Sequence, residues 1–377
     1  MFGTAFEIGA EGCFELPDGT GPGIDVDESI FEKYSSIDGP DYVESSEVKQ
    51  GDMMGNLFKK LLVAVCLGAV AVSAAMAQTF PDRTVRFVVP YPPGGFNDTL
   101  ARVSAEKLTK MWNQPVVVEN KPGGNTTVGN MSVAKAPADG YTILITPLPF
   151  SALPGLYGAN LPYDALKDFT PLVWAGSTQN ALVVRNELPV NNVKDLLEYA
   201  RKNPGKLNFG STGSGSSNHL SMELFMKMTG TKMAHIPYKG SAPAVTAMLG
   251  GEIDALFDNV PNVLQHIKAG KLKAIGVSGV QRSVLLPEVP TVAESGVPGY
   301  EVNVWFGMQL PAGTPKPIVD KLNRDIVQLL KEPDVVQRFR IQGVEVVAST
   351  PAEFSQLVQK EIVKWTQLIK DANIRIE

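Results

Sequence analysis

The side chains that could do chemistry in this sequence are few, and most lack the company that chemistry needs. Histidine occurs three times, as His219, His235 and His266. His219 and Glu223 stand four apart, a spacing that shares one helical face, but a metal site needs further ligands and no H-E-x-x-H is present. No metal is expected. His219 reads as a helix-start residue bonding its own loop or a ligand, and His235 and His266 as structural or exposed. Asp254 and Asp258 in "EIDALFDN" lie four apart on a strand or its end, so both could point to one side. A glycosidase would set two such carboxylates across a sugar, yet nothing aromatic or acidic clusters near them. Asp258 keeps two readings, lining a cleft or capping a local turn through "DNVPN".

Two glycine-rich loops offer a different chemistry. In "RFVVPYPPGGFNDTLAR" an apolar strand runs through Tyr91, Pro92, Pro93, Gly94 and Gly95 into a helix opened by Phe96, Asn97 and Asp98. The prolines stiffen the approach and the two glycines let the chain bend, leaving backbone N–H groups toward whatever lies beyond. "KLNFGSTGSGSSNHLSMEL" repeats the plan, with Gly210, Gly213 and Gly215 among Ser211, Thr212, Ser214, Ser216 and Ser217. A helix N-terminus presents unpaired donors and about half a positive charge, so it holds a carboxylate or phosphate without a basic side chain. Catalytic versions of such loops are absent. "GSTGSGSS" has Ser216 where a phosphate-cradling loop needs lysine, Gly213 and Gly215 are followed by Asn218 where a dinucleotide loop needs glycine, and neither loop contains G-x-S-x-G. No cofactor is expected.

These loops need elements to hold them apart and face to face. Strand-like and helix-like stretches alternate from residue 84 to 307, the signature of α/β construction with parallel sheets. The helices are expected at Asp98 to Met111, Thr127 to Ala134, Asn218 to Met228, Ala242 to Leu249 and Val263 to Ala269. Two amphipathic helices follow, at 316 to 331 and from Phe354 to Ile369. "FTPLVWAGSTQNALVVR" and "YEVNVWFGMQLPAGTP" are extended and flank a central block. They predict a lobe of residues 78–176 plus 303–377, a second lobe of residues 177–302, and a two-strand hinge with a cleft between.

The ends of the chain set its compartment. Residues 53 to 77, "MMGNLFKKLLVAVCLGAVAVSAAMA", place Lys59 and Lys60 before an apolar run and end in an A-x-A site, the order of a cleaved signal peptide. The run is short of the roughly 20 residues that span a bilayer. Residues 1–52 carry 13 acidic residues against two lysines and show no periodicity. Two readings stand for this stretch, an acidic regulatory tail outside the fold or, as expected here, a true start at Met53 or Met54. Of 34 basic and 39 acidic residues in all, 30 basic and 26 acidic remain after Ala77. That surplus suits a small anion and is too weak and scattered for nucleic acid. Both cysteines, Cys13 and Cys66, lie before residue 78, so the exported chain holds together by its core.

"FVVPYPPGGFNDTLAR", "VVVENKPGGN", "KAPADGYTIL", "GSTGSGSSNHLSMELF", "IPYKGSAPA", "GGEIDALFDNVPNVLQHIKAGKLKAIGVS" and "PTVAESGVPGYEVNVWFGMQLPAGTP" occur in this order across residues 80 to 377. Together they resemble the extracytoplasmic solute receptors of tripartite tricarboxylate transporters, the Bug receptors. The resemblance implies an α/β, two-lobed periplasmic binding protein of Venus-flytrap shape, type II-like. It would be a monomer, without enzymatic turnover, delivering a small organic carboxylate to membrane permease subunits. It also implies that Pro93, Gly94, Gly95, Phe96, Asn97 and Asp98, with Ser211 to Ser217, grip one ligand carboxylate through backbone N–H groups, hydroxyls and water. Tyr91, Thr146, His219, Lys239 and Asp258 complete the expected ligand-binding set. Phe96 and Asn97, and Pro147, Pro149 and Phe150 in "TPLPFSAL", stand where relatives carry other residues, which favours an aromatic or partly apolar acid over citrate; Phe96 could equally pack against its lobe. The competing reading is a secreted hydrolase of a small ester or amide on the same architecture, which would need a serine with a histidine base.

Overall fold

The computed structural model describes residues 80–375; the expected signal peptide and acidic extension lie outside the described residues. The chain first lays down β1 (Val85–Val89), α1 (Phe96–Trp112), β2 (Val116–Asn120), a 3-10 turn at Gly124–Thr126 leading into α2 (Thr127–Ala134), β3 (Thr142–Pro147) and α3 (Pro149–Tyr157). β4 (Phe169–Thr178) passes through Gln179 alone into β5 (Asn180–Arg185), then α4 (Val193–Lys202), β6 (Asn208–Ser211), α5 (Ser217–Thr229) and β7 (Ala234–Pro237). There follow α6 (Ser241–Leu249), β8 (Ala255–Asn259), α7 (Val260–Lys268) and β9 (Leu272–Val277). The last part comprises β10 (Val304–Pro311), α8 (Lys316–Leu330), α9 (Pro333–Ile341), β11 (Glu345–Val346) and α10 (Pro351–Asp371).

Two sheets result, one of six strands in the order β11-β4-β10-β3-β1-β2 and one of five in the order β7-β6-β8-β5-β9. In the first, β1 runs parallel to both β2 and β3; in the second, β6 runs parallel to both β7 and β8. An antiparallel strand lies beyond each trio, β10 next to β3 and β5 next to β8. The unit β1-α1-β2-α2-β3-α3 thus recurs as β6-α5-β7-α6-β8-α7. Each parallel trio turns the C-terminal ends of its strands, and the loops that follow them, to one end of its sheet. In open α/β sheets that end is where ligands bind.

Burial explains why these runs read as nearly continuous apolar stretches. On β1, Val85, Phe87 and Val89 enter one core with Leu100 and Leu108 of α1 and Leu322 and Ile326 of α8, while Val88 enters the core on the other face. β5 alternates likewise, Ala181 and Val183 facing α6 and α7, Leu182 and Val184 facing the opposite core. Strands covered on both faces lose the polar alternation of a one-sided sheet. α10 presents Phe354, Val358, Ile362, Trp365 and Ile369 to the core that continues through Phe225, Phe257 and Tyr300 of the second lobe. Its N-terminus is closed by a capping box between Thr350 and Glu353.

Where the chain passes between sheets, Ser278 stitches the two crossings together. Its N–H donates to Asn180 O (2.8 Å) and its hydroxyl accepts from Asn180 N–H (2.9 Å) while donating to Val302 O (2.7 Å). Its own carbonyl accepts from Val302 N–H (2.8 Å). Ser278 is fully buried, so four hydrogen bonds at one residue set the hinge. The lobes also approach each other at Gly215 of one against Leu156 of the other, and beside the hinge at Gly343 against Pro261.

Candidate functional site

Between the lobes lies a cavity of about 250 Å³, and helix starts from both lobes surround it. That volume is below the roughly 300–1,000 Å³ of drug-sized pockets, so it suits a small molecule. Asn97 is the second residue of α1, Pro149 the first of α3, Ser217 and Asn218 the first two of α5, and Asn262 the third of α7. These helices follow β1, β3, β6 and β8, the strands whose C-terminal ends point here. The first turn of each helix leaves N–H groups without intrahelical partners. Tyr91, Asn125, Pro147, Thr212, Gly213, Ser214, Ser216, Asp258, Asn259, Val304 and Phe306 complete the lining. A larger hollow lined by residues from Pro154 to Leu166 and by Ile362 belongs to one lobe only. Its carboxylate, Asp164, is already held by the N–H groups of Leu166 and Lys167.

The loop of the second lobe is held by its own hydrogen bonds. Ser216 caps α5, its hydroxyl accepting from His219 N–H at 3.3 Å, and its N–H donates to Gly213 O. Gly215 N–H donates to His219 Nδ1 at 3.1 Å. The His219 ring stacks on His235 with centroids 3.9 Å apart, and His235 in turn lies on Phe209. Burial, and then the neighbouring His219, push His235 down to about 4. Asn218 is fixed at both ends: Thr212 Oγ1 donates to its Oδ1 (2.7 Å), and its Nδ2 donates to Phe257 O (2.8 Å).

Asp258 ties three helix starts together beneath this loop. Its Oδ1 accepts from Asn259 N–H (2.7 Å), Asn262 Nδ2 (3.0 Å) and Asn218 Nδ2 (3.1 Å), and its Oδ2 from the hydroxyl of Ser241, the first residue of α6. Asp258 is 1% exposed. Burial raises its pKa, and the four donors oppose that rise. Both readings of Asp258 left open by the sequence apply at once, since it lines the cavity and organises the turn into α7.

Of the residues expected at the site, Tyr91, Asn97, Thr212, Gly213, Ser214, Ser216, Ser217 and Asp258 line the cavity. The others lie elsewhere. Pro93, Gly94 and Gly95 are exposed and outside the lining. Gly94 has φ +105°, the region that favours glycine, whereas Gly95 has φ −83°, which any residue adopts. The expectation that both glycines serve the bend is corrected to one. Gly94 N–H donates to Asp98 Oδ2, so it is spent within the loop (3.2 Å). Asp98 pairs with Arg102 (2.8 Å) and accepts from Asn120; the Arg102 guanidinium holds its carboxyl below the usual range. Phe96 packs against Phe306 and Phe339, centroids 4.5 and 5.0 Å away, because the first turn of α1 points it into the lobe. Thr146 is fully buried and accepts from Gln309. Ser211, Gly215 and His219 lie behind the loop, bonding it from within, and Lys239 is exposed and outside the lining. Pro147 and Pro149 do line the cavity, while Phe150 is in the core against Tyr163 and Phe169. Asp254 is drawn to the opposite end of its strand by Arg185 (2.8 Å), so it forms no pair with Asp258.

Asn125, Asn218, Asn259, Asn262, Val304 and Phe306 were missed. For Asn125 a signal existed: "VVVENKPGGNTT" repeats the strand, proline and paired glycines of the first loop, and Asn125 takes a left-handed φ of 50°. Nothing local marks Val304 and Phe306, which reach the cavity only because β10 returns to lie beside β3.

The chain matches the model of the tripartite tricarboxylate transporter family receptor over residues 100–374. BugT of Bordetella pertussis is 35% identical over 321 residues, 84% of this chain and 98% of that protein. A solved Rhodopseudomonas palustris protein with adipate is 37% identical, covering 79% of this chain and 100% of that one, with a TM-score of 0.70. MatC of the same organism, with bound malate, is 33% identical over 77% of this chain and 100% of its own, with a TM-score of 0.67. With its two lobes, its intervening cavity and this extent of likeness, the chain belongs to the receptors of the tripartite tricarboxylate transporter family, which bind solutes and are not enzymes.

Proposed function

We propose that this receptor captures a small organic carboxylate, aromatic or dicarboxylic, between its lobes in the periplasm and delivers it to the permease subunits of a tripartite tricarboxylate transporter. It would be exported by the signal peptide at residues 53–77 and act as a monomer, with residues 78–176 and 303–377 forming one lobe and 177–302 the other. One observation carries the reading. Helix starts from both lobes converge on a single cavity whose lining contains no lysine, arginine or histidine. Such a site favours an anion through backbone dipoles and amide donors, and the adipate and malate held by the two relatives are anions of this kind. Asn97, Thr212 to Ser214, Ser216 and Ser217 are the groups we assign to the ligand carboxylate.

The hydrolase alternative meets a specific obstacle. Ser211 Oγ lies 2.6 Å from His235 Nε2, the contact that a nucleophile and its base require. Yet Ser211 is fully buried outside the cavity lining, its hydroxyl also accepts from Gly213 N–H, and the far side of the histidine pair is stacked ring on ring. The pair braces the loop.

Isothermal titration and thermal shift of the exported chain with malate, adipate and benzoate test the proposal. A ligand at about 100 times its Kd should add about 2.7 kcal/mol of stability. No saturable binding of any organic acid would defeat it.

A further inference from the structure

The two walls of the cleft differ in kind, and the difference bears on which acid fits. Tyr91, Pro147, Pro149, Val304 and Phe306 line it from the first lobe, beside two amides, Asn97 and Asn125. Phe306 is backed by Phe96, and Phe96 by Phe339, so the wall behind the cavity is a stack of rings with little freedom to adjust. The second lobe contributes Thr212, Gly213, Ser214, Ser216, Ser217 and Asn218 together with Asp258, Asn259 and Asn262, all polar except the one glycine.

The polar wall has less capacity for anions than its helix starts suggest. Asp258 already takes the amide donors of Asn218 and Asn262, the Asn259 N–H and the Ser241 hydroxyl, which belong to the beginnings of α5, α7 and α6. One carboxylate of the protein's own therefore sits where those three helix starts meet. What remains for a ligand carboxylate is the loop from Thr212 to Ser217 with the start of α1 opposite. A second ligand carboxylate would lie either beside Asp258 or against the Tyr91 and Phe306 wall, with no cation in the lining to pair with it.

We infer that the ligand is a monocarboxylate with a flat apolar body, such as an aromatic acid, its carboxylate on the Thr212–Ser217 loop and its ring against the Tyr91 and Phe306 wall. This rests on the carboxylate-receptor reading and narrows it. Two pairs of probes that differ only in the second carboxylate test it: benzoate against terephthalate, and hexanoate against adipate. A second carboxylate held there gives up its hydration with no cation in return, so benzoate should bind at least about tenfold more tightly than terephthalate. Asp258→Asn should narrow that gap by raising terephthalate affinity. The substituted amide can still accept from Asn218, Asn259 and Asn262 through its oxygen and donate to the Ser241 hydroxyl. Circular dichroism melting would confirm that this variant folds; if it does not, the wild-type pairs decide alone. Terephthalate or adipate binding as tightly as its monoacid partner overturns the inference and leaves the carboxylate reading intact. Failure of all four acids to bind would sink the carboxylate reading itself.

Discussion

Gly343→Ala should weaken ligand binding by jamming the lobes apart. Gly343 follows α9 in the first lobe with φ +68°, and a Cβ there would stand 2.2 Å from Pro261 Cγ and 2.8 Å from Pro261 Cδ in the second. Carbon atoms prefer about 3.5–4.0 Å, so the gap must widen by more than about 1 Å. A proline ring cannot rotate out of the way, and Pro261 is the second residue of α7, whose third residue, Asn262, lines the cleft. Relief must come from moving the lobes. Overpacking of this sort costs about 1–3 kcal/mol, which converts to an affinity loss of about 5- to 150-fold if it falls on the ligand-bound, closed state. Backbone strain has to be separated from this. Gly313 has φ +80° with nothing near a Cβ, so Gly313→Ala carries the same left-handed strain of about 1–2 kcal/mol without the clash. Calorimetric affinities and melting temperatures of the two variants decide the matter. Gly313→Ala should melt lower but bind normally, and Gly343→Ala should lose both. Wild-type affinity in Gly343→Ala would refute the argument that closure brings these surfaces together.

At the first loop, Gly94→Ala should lower the melting temperature, since φ is +105°, whereas Gly95→Ala at φ −83° with open space around it should not; equal effects would mean the bend is shared after all. Ser278→Ala removes the partner of buried Asn180 N–H and Val302 O, and should cost about 1–3 kcal/mol in urea denaturation; a neutral result would show that the hinge is not held there. Lys239→Ala should leave affinity within about twofold because the side chain is exposed and outside the lining, and a loss near a thousandfold, about 4 kcal/mol, would reveal an ion pair. His235, held down to about 4, stays neutral in the fold while the unfolded chain takes up its proton below about pH 6.5. The stability this histidine contributes is therefore complete above pH 6.5 and lost progressively toward pH 4. Melting temperatures of wild type and His235→Gln should converge as pH falls across that window, and parallel curves would contradict the assignment.

Local pattern in the sequence was enough for the helices at 127–134, 217–229 and 316–330, because each has either a turn residue at its start or a regular apolar stripe. It was not enough for α3. Pro149 and Pro154 punctuate that helix and Phe150, Ala152 and Leu153 are all buried, so neither a polar face nor a clean period marks it. The glycine loops, the paucity of histidine and the lack of any catalytic pattern were legible too, because each depends on residues near one another in the chain. Which groups face the cleft was not. Gly94 and Gly95 are adjacent and alike in sequence, yet one needs a left-handed backbone and the other does not. Phe96 and Asn97 are adjacent as well, and the turn of α1 sends one into a stack of phenylalanines and the other into the cavity. Val304 and Phe306 are some two hundred residues from Tyr91, and Asp258 is forty from Asn218. Only the return of β10 to β3, and the parallel alignment of β6 with β8, bring them to one place. Composition and turn chemistry decided that this chain would build glycine-rich strand-to-helix loops. Strand pairing across the whole length decided which of them share a cavity, and which of their donors were already taken.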